Sequence, residues 1–217
     1  MVVEFTRGLD MGKTSFCDIV FIHTEIRELR CSMTTLQIVD PVVNPELRAF
    51  QAGAEDQEQV QELILETARW LHSKGSTQWG NLLKGKDDHN LGGAISRGEV
   101  IIFRTSEGHL LSGSMILQQQ PSPWDRKLWG LNEADSERGT AIYLHRLVVD
   151  RHNTGKGLGR ELVQWIEKGI RFTGKDRIRL DCIAGNDKLS QFYRQCGYTH
   201  IGETGGYNIF EKMLTEV

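Results

Sequence analysis

Apolar residues recur at helical spacing in three long segments of the chain. In the segment from Asp56 to Gly75 they return every three or four positions with polar residues between them, and Asp56 is a typical N-cap. The segment from Leu158 to Ile170 has the same period, and a third helical segment runs from Asn186 or Asp187 to Gly197. A shorter helical stretch follows Trp79. The pattern predicts amphipathic helices that pack on a sheet.

Alternating or β-branched apolar residues predict the strands of that sheet. The predicted strands are Leu47 to Ala52, Gly98 to Phe103, Leu110 to Leu117, Ile142 to Val149, Arg177 to Ile183 and Tyr207 to Leu214. The second and third are joined by the turn residues Ser106, Glu107 and Gly108, so they are expected to pair antiparallel.

Two segments show no regular spacing of apolar residues. Gln118 to Thr140 is predicted to be a long loop over one end of the sheet. Residues 1–40 also show no sustained period, and Pro41 and Pro45 mark their end. We therefore expect an N-terminal extension of unknown role over residues 1–40, followed by one domain over residues 41–217.

Composition and charge mainly exclude certain classes of protein. Hydrophobic residues make up 39% of the chain and charged residues 25%, which is typical of a globular domain. No run approaches the roughly 18 apolar residues of a spanning helix, and the run Ile19 to Ile22 is too short for a secretory segment. We therefore expect a cytoplasmic protein without membrane association. A net charge of -3 gives no basic field, so nucleic-acid binding is not expected.

Cysteine and histidine spacing gives no metal or disulfide signal. None of the cysteines forms a C-x-x-C pair, so reduced thiols are expected at Cys17, Cys31, Cys182 and Cys196. Five histidines lack metal-ligand spacing, and no metal is predicted: His72, His89, His109, His152 and His200.

A glycine-rich loop between a predicted strand and a predicted helix carries the strongest chemical signal. Its residues are Thr154, Gly155, Lys156, Gly157, Leu158, Gly159 and Arg160. Glycines let the backbone approach a phosphate closely, and free amides at the positive end of the helix dipole stabilise its charge. Lys156 adds a cation. The loop therefore predicts a phosphate-binding site.

Two other phosphate-binding patterns fit less well. The dinucleotide fingerprint G-x-G-x-x-G would need a glycine at Arg160. The segment from Gly8 to Thr14 ends like a Walker loop but is one residue short, since the pattern needs a glycine at Arg7. A nicotinamide enzyme and a P-loop nucleotide site are therefore weak alternatives.

Several motifs together resemble the GNAT superfamily of acyl-CoA-dependent N-acyltransferases. They are the strand residues Leu147, Val148 and Val149, the glycine loop, Asn186, the pair Phe192 and Tyr193, and the pair Gly197 and Tyr198. The resemblance covers about Leu47 to Met213. It implies an α/β (α+β) fold with a mostly antiparallel central sheet, helices on both faces, and a splayed, V-shaped cofactor cleft between the two middle strands.

The resemblance also implies how the co-substrate, acetyl-CoA, is held. The glycine loop is expected to bind the pyrophosphate, although Thr154 stands where the family usually has Gln or Arg and is expected to donate a hydroxyl instead. The central strand should splay near Val148, so that backbone groups of Leu147 and Val149 bind the pantetheine arm. Asn186 is expected to bind it from the opposite side, with Ser190 as a further cofactor contact.

Two catalytic residues are expected. The resemblance implies that Tyr193 protonates the departing thiolate, whereas without it a buried aromatic role would be the simpler interpretation. Many family members have a glutamate base on the central strand, and this chain has none there, so His145 is the available titratable group. An ordinary histidine of the sheet is an equal alternative. Because side chains alternate along a strand, only one of His145 and Arg146 should line the cleft.

The acceptor is the least defined part of the prediction. Trp79, Trp129 and Trp124 could line its pocket or simply bury area, and the acids Glu133, Asp135 and Glu137 could recognise an amine or be ordinary loop charges. The predicted function is direct transfer of an acetyl group from acetyl-CoA to a primary amine of a small-molecule acceptor. The alternative is a non-catalytic acyl-CoA-binding sensor or interaction module. The oligomeric state stays open, a homodimer included.

Overall fold

The computed structural model describes residues 36–87, 89–108, 110–132, 139–153 and 155–214. Several predictions concern residues outside these ranges: the extension up to residue 35, the hydroxyl of Thr154, the acids Glu133, Asp135 and Glu137, and His109, Cys17 and Cys31. No helix of the described residues is long and apolar enough to cross a membrane.

The described part of the chain contains both strands and helices. The strands are β1 (Leu36–Ile38), β2 (Val42–Asn44), β3 (Leu47–Gln51), β4 (Val100–Thr105), β5 (Leu111–Gln118), β6 (Ala141–Val149), β7 (Ile170–Phe172), β8 (Arg177–Ile183), β9 (Thr199–Thr204) and β10 (Tyr207–Met213). The α-helices are α1 (Gln57–Ser73), α2 (Leu91–Ser96), α3 (Pro123–Trp129), α4 (Leu158–Gly169) and α5 (Asp187–Gln195).

An eight-stranded sheet forms the centre, in the order β2-β3-β4-β5-β6-β8-β10-β9. Its neighbouring strands pair antiparallel except β6 and β8, which are parallel. One face packs against α4 and α5 through a large apolar core, and the other packs against α1 and α2. The predicted sheet with helices on both faces is confirmed.

The two parallel strands separate after a short paired region. β6 and β8 pair only from Ala141 with Arg177 to Tyr143 with Arg179, although both strands continue beyond these residues. The predicted V-shaped opening therefore lies between β6 and β8, and it begins at Leu144, earlier along β6 than the position near Val148 expected from the sequence. We call it the gap.

Two local predictions were wrong or incomplete. The segment from Gln118 to Thr140 contains the helix α3, because Ser122 and Asp125 form a capping box and Pro123 occupies the first turn. Part of the predicted extension, Leu36–Ile38, pairs with Ile170–Phe172, so this part is packed on the domain. The strand β9 also had no counterpart in the sequence pattern.

Core packing predicts a clear difference between two isoleucines. Ile166 on α4 is 0% exposed, so Ile166→Ala should lower the free energy of unfolding by about 2–5 kcal/mol through lost burial and the cavity left behind. Ile201 on β9 is 50% exposed, and Ile201→Ala should change stability by less than about 1 kcal/mol. Urea denaturation of both variants measures the difference, and equal losses would contradict this assignment of the core.

Candidate active site

Backbone polar groups of β6 border the gap. Asp150 N–H donates to the Ser112 carbonyl at 2.9 Å, and a Cβ on Gly113 would lie only 2.8 Å from the Val148 carbonyl oxygen. The backbone groups of Val148 and Asp150 therefore face β5. Because these groups alternate in direction along a strand, those of Val149, between Val148 and Asp150, face the gap. This is the orientation that the predicted role of Val149 toward a pantetheine arm requires, and the role of Leu147, which lies at a bulge, stays a prediction.

The glycine loop leads from β6 into α4. Gly155 and Gly157 both have φ of 81°, a left-handed conformation that favours glycine, and a Cβ at either would meet nothing within 4 Å. Gly157 is the N-cap of α4 and offers no side-chain cap, and within the described residues the amides of Leu158 and Gly159 in the first turn have no acceptor. The loop therefore has the open space and the donors that an anion site needs.

Two cationic side chains, Lys156 and Arg160, belong to this loop. Lys156 is exposed, with its Nζ 3.4 Å from Asn153 Oδ1, and so lies at the loop surface. Arg160 donates from Nη2 to Gln195 Oε1 at 2.6 Å and thereby ties α4 to α5. Its guanidinium is thus partly committed to a helix contact rather than held only for a phosphate.

The predicted cofactor contacts on α5 have roles within the fold. Asn186 caps the helix, since its Oδ1 accepts a hydrogen bond from the Leu189 amide at 3.1 Å, and this cap does not use its Nδ2 group. Ser190 is buried, and its hydroxyl oxygen accepts from Asn208 Nδ2 at 3.0 Å. The structure therefore shows Ser190 as a link between α5 and β10, and its role as a cofactor contact stays a prediction.

Tyr193 is buried at the α4 and α5 face of the sheet. It is 8% exposed and packs against Phe192, Tyr198 and Phe210, with ring centroids 5.1, 6.0 and 5.8 Å away. Burial raises the pKa of the Tyr193 phenol above its usual range. The phenol therefore keeps its proton and can act as a hydrogen-bond donor.

His145 projects from the opposite face of the sheet. Its neighbour Leu144 belongs to the core beneath α4, so His145 points away from that core. It is 5% exposed, its Nε2 lies 3.2 Å from Asp125 Oδ2, and the ring of His89 stacks on it at 4.2 Å. The imidazole is therefore held between a carboxylate on α3 and a second histidine.

The environment of Asp125 keeps this partner of His145 ionised. It is 1% exposed, and its Oδ2 accepts hydrogen bonds from Ser122 N–H at 2.8 Å and from Ser122 Oγ at 2.6 Å. Burial would raise its pKa, but attraction to His145 and the hydrogen bonds from His145 and Ser122 outweigh burial and hold the pKa below its usual range. Asp125 thus stays a carboxylate that orients His145.

Asp181 brings a second carboxylate to the same place. It lies on β8 just beyond the last pair with β6, and Trp124 Nε1–H donates to its Oδ1 at 3.3 Å. Burial raises the pKa of Asp181, and attraction to His145 only partly opposes this effect. One atom each of Asp125, His145 and Asp181 lie within 4.8 Å of one another. We call these three residues the acid–histidine cluster.

The same architecture occurs in known acetyltransferases. A sequence profile described as "Acetyltransferase (GNAT) family" matches residues 111–198, which span β5, the gap, the glycine loop and Tyr193. The chain is 44% identical over 184 residues to "Uncharacterized N-acetyltransferase YesJ" of Bacillus subtilis (strain 168), covering 84% of this chain and 99% of that protein. This chain belongs to the GNAT acetyltransferase family.

Two solved structures place this GNAT enzyme among its structural neighbours. A GNAT-family acetyltransferase of Listeria monocytogenes 4b F2365 is 37% identical, with a TM-score of 0.64 over 77% of this chain and 95% of that one. PaiA N-acetyltransferase of Thermoplasma acidophilum, solved with coenzyme A, is 18% identical, with a TM-score of 0.55 over 77% of this chain and 98% of that one. The second likeness concerns the fold. The family predicted from the sequence is confirmed, and the chain is an N-acetyltransferase.

In this GNAT enzyme, the predicted alternation of His145 and Arg146 was wrong. Ser114 faces Val148 and Ile116 faces His145, so a β-bulge in β6 sets two residues against Met115, and Arg146 has a φ of 44°. Arg146 Nη1 therefore reaches Asp87 at 2.6 Å, in the same segment whose His89 stacks on His145. Both residues of the pair lie against one segment before α2.

The tryptophans predicted to line the acceptor pocket have different surroundings in the GNAT enzyme. Trp79 packs against the core beneath α1 and α2, and the ring of Trp129 lies 4.3 Å from the guanidinium carbon of Arg179. Trp124 is the one that contacts the acid–histidine cluster, and its ring also packs against Tyr207 at 4.9 Å. The roles of Trp79 and Trp129 in acceptor binding stay predictions.

A cavity of about 270 Å³ adjoins this cluster in the GNAT enzyme, with Ser122 and His89 in its wall. It is also lined by Gln118 and by Glu99, which pairs with Arg97 at 2.7 Å. Within the described residues, the buried Gln118 Oε1 and His89 Nδ1 have no hydrogen-bond partner. Burial, followed by repulsion from His145 and Arg146, lowers the pKa of His89 to about 3, so its ring is neutral. The cavity therefore offers neutral polar groups beside His145.

Proposed function

We propose that this GNAT enzyme transfers an acetyl group from acetyl-CoA directly to a primary amine of a small-molecule acceptor. The observation that carries the proposal is the position of two proton-transfer groups on the two faces of the sheet. His145 projects from one face and Tyr193 packs on the other, and Asp181 beside the gap interacts electrostatically with both. A thioester in the gap would be accessible to both groups.

The proposed binding of acetyl-CoA uses three features of the chain. The open glycine loop and the uncapped start of α4 would hold the pyrophosphate. Backbone groups of Leu147 and Val149 would bind the pantetheine arm, with Asn186 Nδ2 on the opposite side. Acetyl-CoA, when bound, supplies the thioester whose acetyl group is transferred. PaiA, a protein of the same fold, was solved with coenzyme A, which supports a CoA site in this architecture.

Each protein group then has one proposed task. His145, oriented by Asp125, takes a proton from the acceptor ammonium, and Tyr193 gives a proton to the departing sulfur. The Val149 amide stabilises negative charge on the thioester oxygen, and such a donor contributes roughly 3–4 kcal/mol. Burial raises the pKa of the Cys182 and Cys196 thiols, so neither is a ready thiolate nucleophile. This favours direct transfer over an acyl-enzyme.

Replacing Tyr193 tests this assignment. Tyr193→Phe keeps the packing but removes the proton donor, so kcat should fall by on the order of 10- to 100-fold while acetyl-CoA affinity stays within about twofold. Thiol release with a panel of primary amines measures kcat, and calorimetric titration measures affinity. Tyr198→Phe is the matched control, because Tyr198 is buried and packs against Tyr193. A Tyr193→Phe enzyme with the turnover of the Tyr198→Phe control would remove Tyr193 from the reaction.

A further inference from the structure

We infer that Asp181 binds the ammonium group of the acceptor and thereby restricts this enzyme to cationic amines. The inference rests on the proposed function, because it concerns the acceptor of the same reaction. Asp181 lies where β8 has left β6, and its side chain belongs to the acid–histidine cluster that borders the gap. It is therefore a specificity-determining residue at the point where the acceptor nitrogen must lie.

The cluster has the dimensions of an ammonium site. One atom each of Asp125, His145 and Asp181 lie within 4.8 Å of one another. Two acceptors up to 4.8 Å apart can both lie about 2.8 Å from one nitrogen, which is the length of a charge-assisted hydrogen bond. Since His145 Nε2 and Asp125 Oδ2 are already bonded at 3.2 Å, the N–H donors of a primary ammonium would be directed to the carboxylates of Asp181 and Asp125. An acceptor hydroxyl has a single donor and satisfies the cluster poorly.

The charges around Asp181 also favour a cation. Asp125 on α3 is a carboxylate, and Asp181 on β8 is a partly buried acid whose polar neighbours include Trp124 Nε1–H and His145. The two nearby arginines are already paired, Arg146 with Asp87 at 2.6 Å and Arg179 with Glu211 at 2.9 Å. The titratable groups facing Asp181 are His145, Asp125, Cys182 and Tyr193. A bound ammonium would offset the burial of both carboxylates.

With the ammonium bound at this cluster, each proton of the reaction has a donor and an acceptor. The ammonium gives one proton to His145, which leaves a neutral amine next to the gap. The amine nitrogen forms the C–N bond as the C–S bond breaks, and the sulfur takes the Tyr193 proton. The second proton lost by the nitrogen replaces the one given by Tyr193. The products are the acetylated amine, coenzyme A and the proton on His145.

The Asp181→Asn variant tests the inference when the KM for the amine is measured separately from kcat. The KM for the amine should rise by on the order of 30- to 1000-fold, because the ammonium loses its anionic partner, while the affinity for acetyl-CoA stays within about twofold. In the unaltered enzyme the KM should fall as pH rises through the Asp181 pKa, and this dependence should disappear in the variant. Asp181→Glu should keep most of the amine affinity, and the exposed Glu203→Gln should match the unaltered enzyme.

The outcomes separate this inference from the proposed function. An unaltered enzyme that binds acetyl-CoA but releases thiol with none of the amines contradicts the proposed function itself. Turnover with an unchanged amine KM in Asp181→Asn contradicts only the role of Asp181. Loss of acetyl-CoA binding in Asp181→Asn would make the residue structural. Activity that needs added Mn²⁺ or Zn²⁺ and is lost in chelator would assign the cluster to a metal ion and overturn the ammonium site.

Discussion

Gly157→Glu is expected to lower the affinity for acetyl-CoA by about 100-fold or more. Gly157 is the N-cap of α4, where the proposed pyrophosphate lies against uncapped amides. Two like unit charges about 4 Å apart repel by roughly 4 kcal/mol at an effective dielectric constant near 20, which suffices for this loss. The new carboxylate would also compete for the first-turn amides itself. Isothermal titration of acetyl-CoA into the variant measures the effect.

Gly174→Glu is the matched control for this experiment. Gly174 has a φ of 71° against 81° for Gly157, and a Cβ at either position meets nothing within 4 Å. Both substitutions therefore add the same charge and a similar backbone strain of about 1–2 kcal/mol, but only one lies at the loop. Gly174→Glu should bind acetyl-CoA like the unaltered protein. Equal affinities in the two variants would show that the glycine loop does not bind the pyrophosphate.

His145→Gln is expected to lower kcat by on the order of 100- to 10,000-fold, since a positioned general base typically contributes this much. Glutamine can keep a hydrogen bond to Asp125 but cannot take a proton. Affinity for acetyl-CoA should change little, because His145 projects from the face opposite α4 and its glycine loop. Initial rates of thiol release at saturating amine and acetyl-CoA measure the loss.

His72→Gln serves as its control, because His72 is exposed in the last turn of α1. This variant should keep the unaltered kcat. A His145→Gln enzyme with near-normal kcat would show that another group takes the proton. Asp181, whose pKa is raised by burial, would then be the next residue to replace.

Local periodicity was enough to predict the main elements of the fold. The helix period of α4 and the β-branched run of β6 are strong patterns, and the glycine loop between them carries its own backbone requirement, seen in the φ of 81° at Gly155 and Gly157. The splayed strands were expected from the family resemblance. Their separation at Leu144 is a property of strand pairing that no local pattern encodes.

The acid–histidine cluster could be predicted only in part. His145 was selected as the titratable residue of β6, but its partners come from α3 and β8, far apart in the sequence. Asp125 had a detectable signal, because S-P-W-D from Ser122 to Asp125 is a capping box with proline in the first turn. A helix as short as α3 shows too few turns for its apolar period to be recognised.

Arg146 is an exception to the rule that successive side chains of a strand lie on opposite faces of the sheet. A strand that pairs regularly would place Arg146 and His145 on opposite faces, whereas the β-bulge opposite Met115 turns Arg146 toward Asp87. A bulge depends on how two strands pair, so the residues of β6 alone do not predict it. The arrangement of charges near His145 therefore required the three-dimensional structure.

The acetyltransferase activity proposed for this chain can be measured by calorimetric titration of acetyl-CoA, followed by thiol release with a panel of primary amines in the same preparation. We expect saturable binding of acetyl-CoA and thiol release that depends on at least one cationic amine. Absence of acetyl-CoA binding would contradict the proposed cofactor site at the glycine loop and the gap.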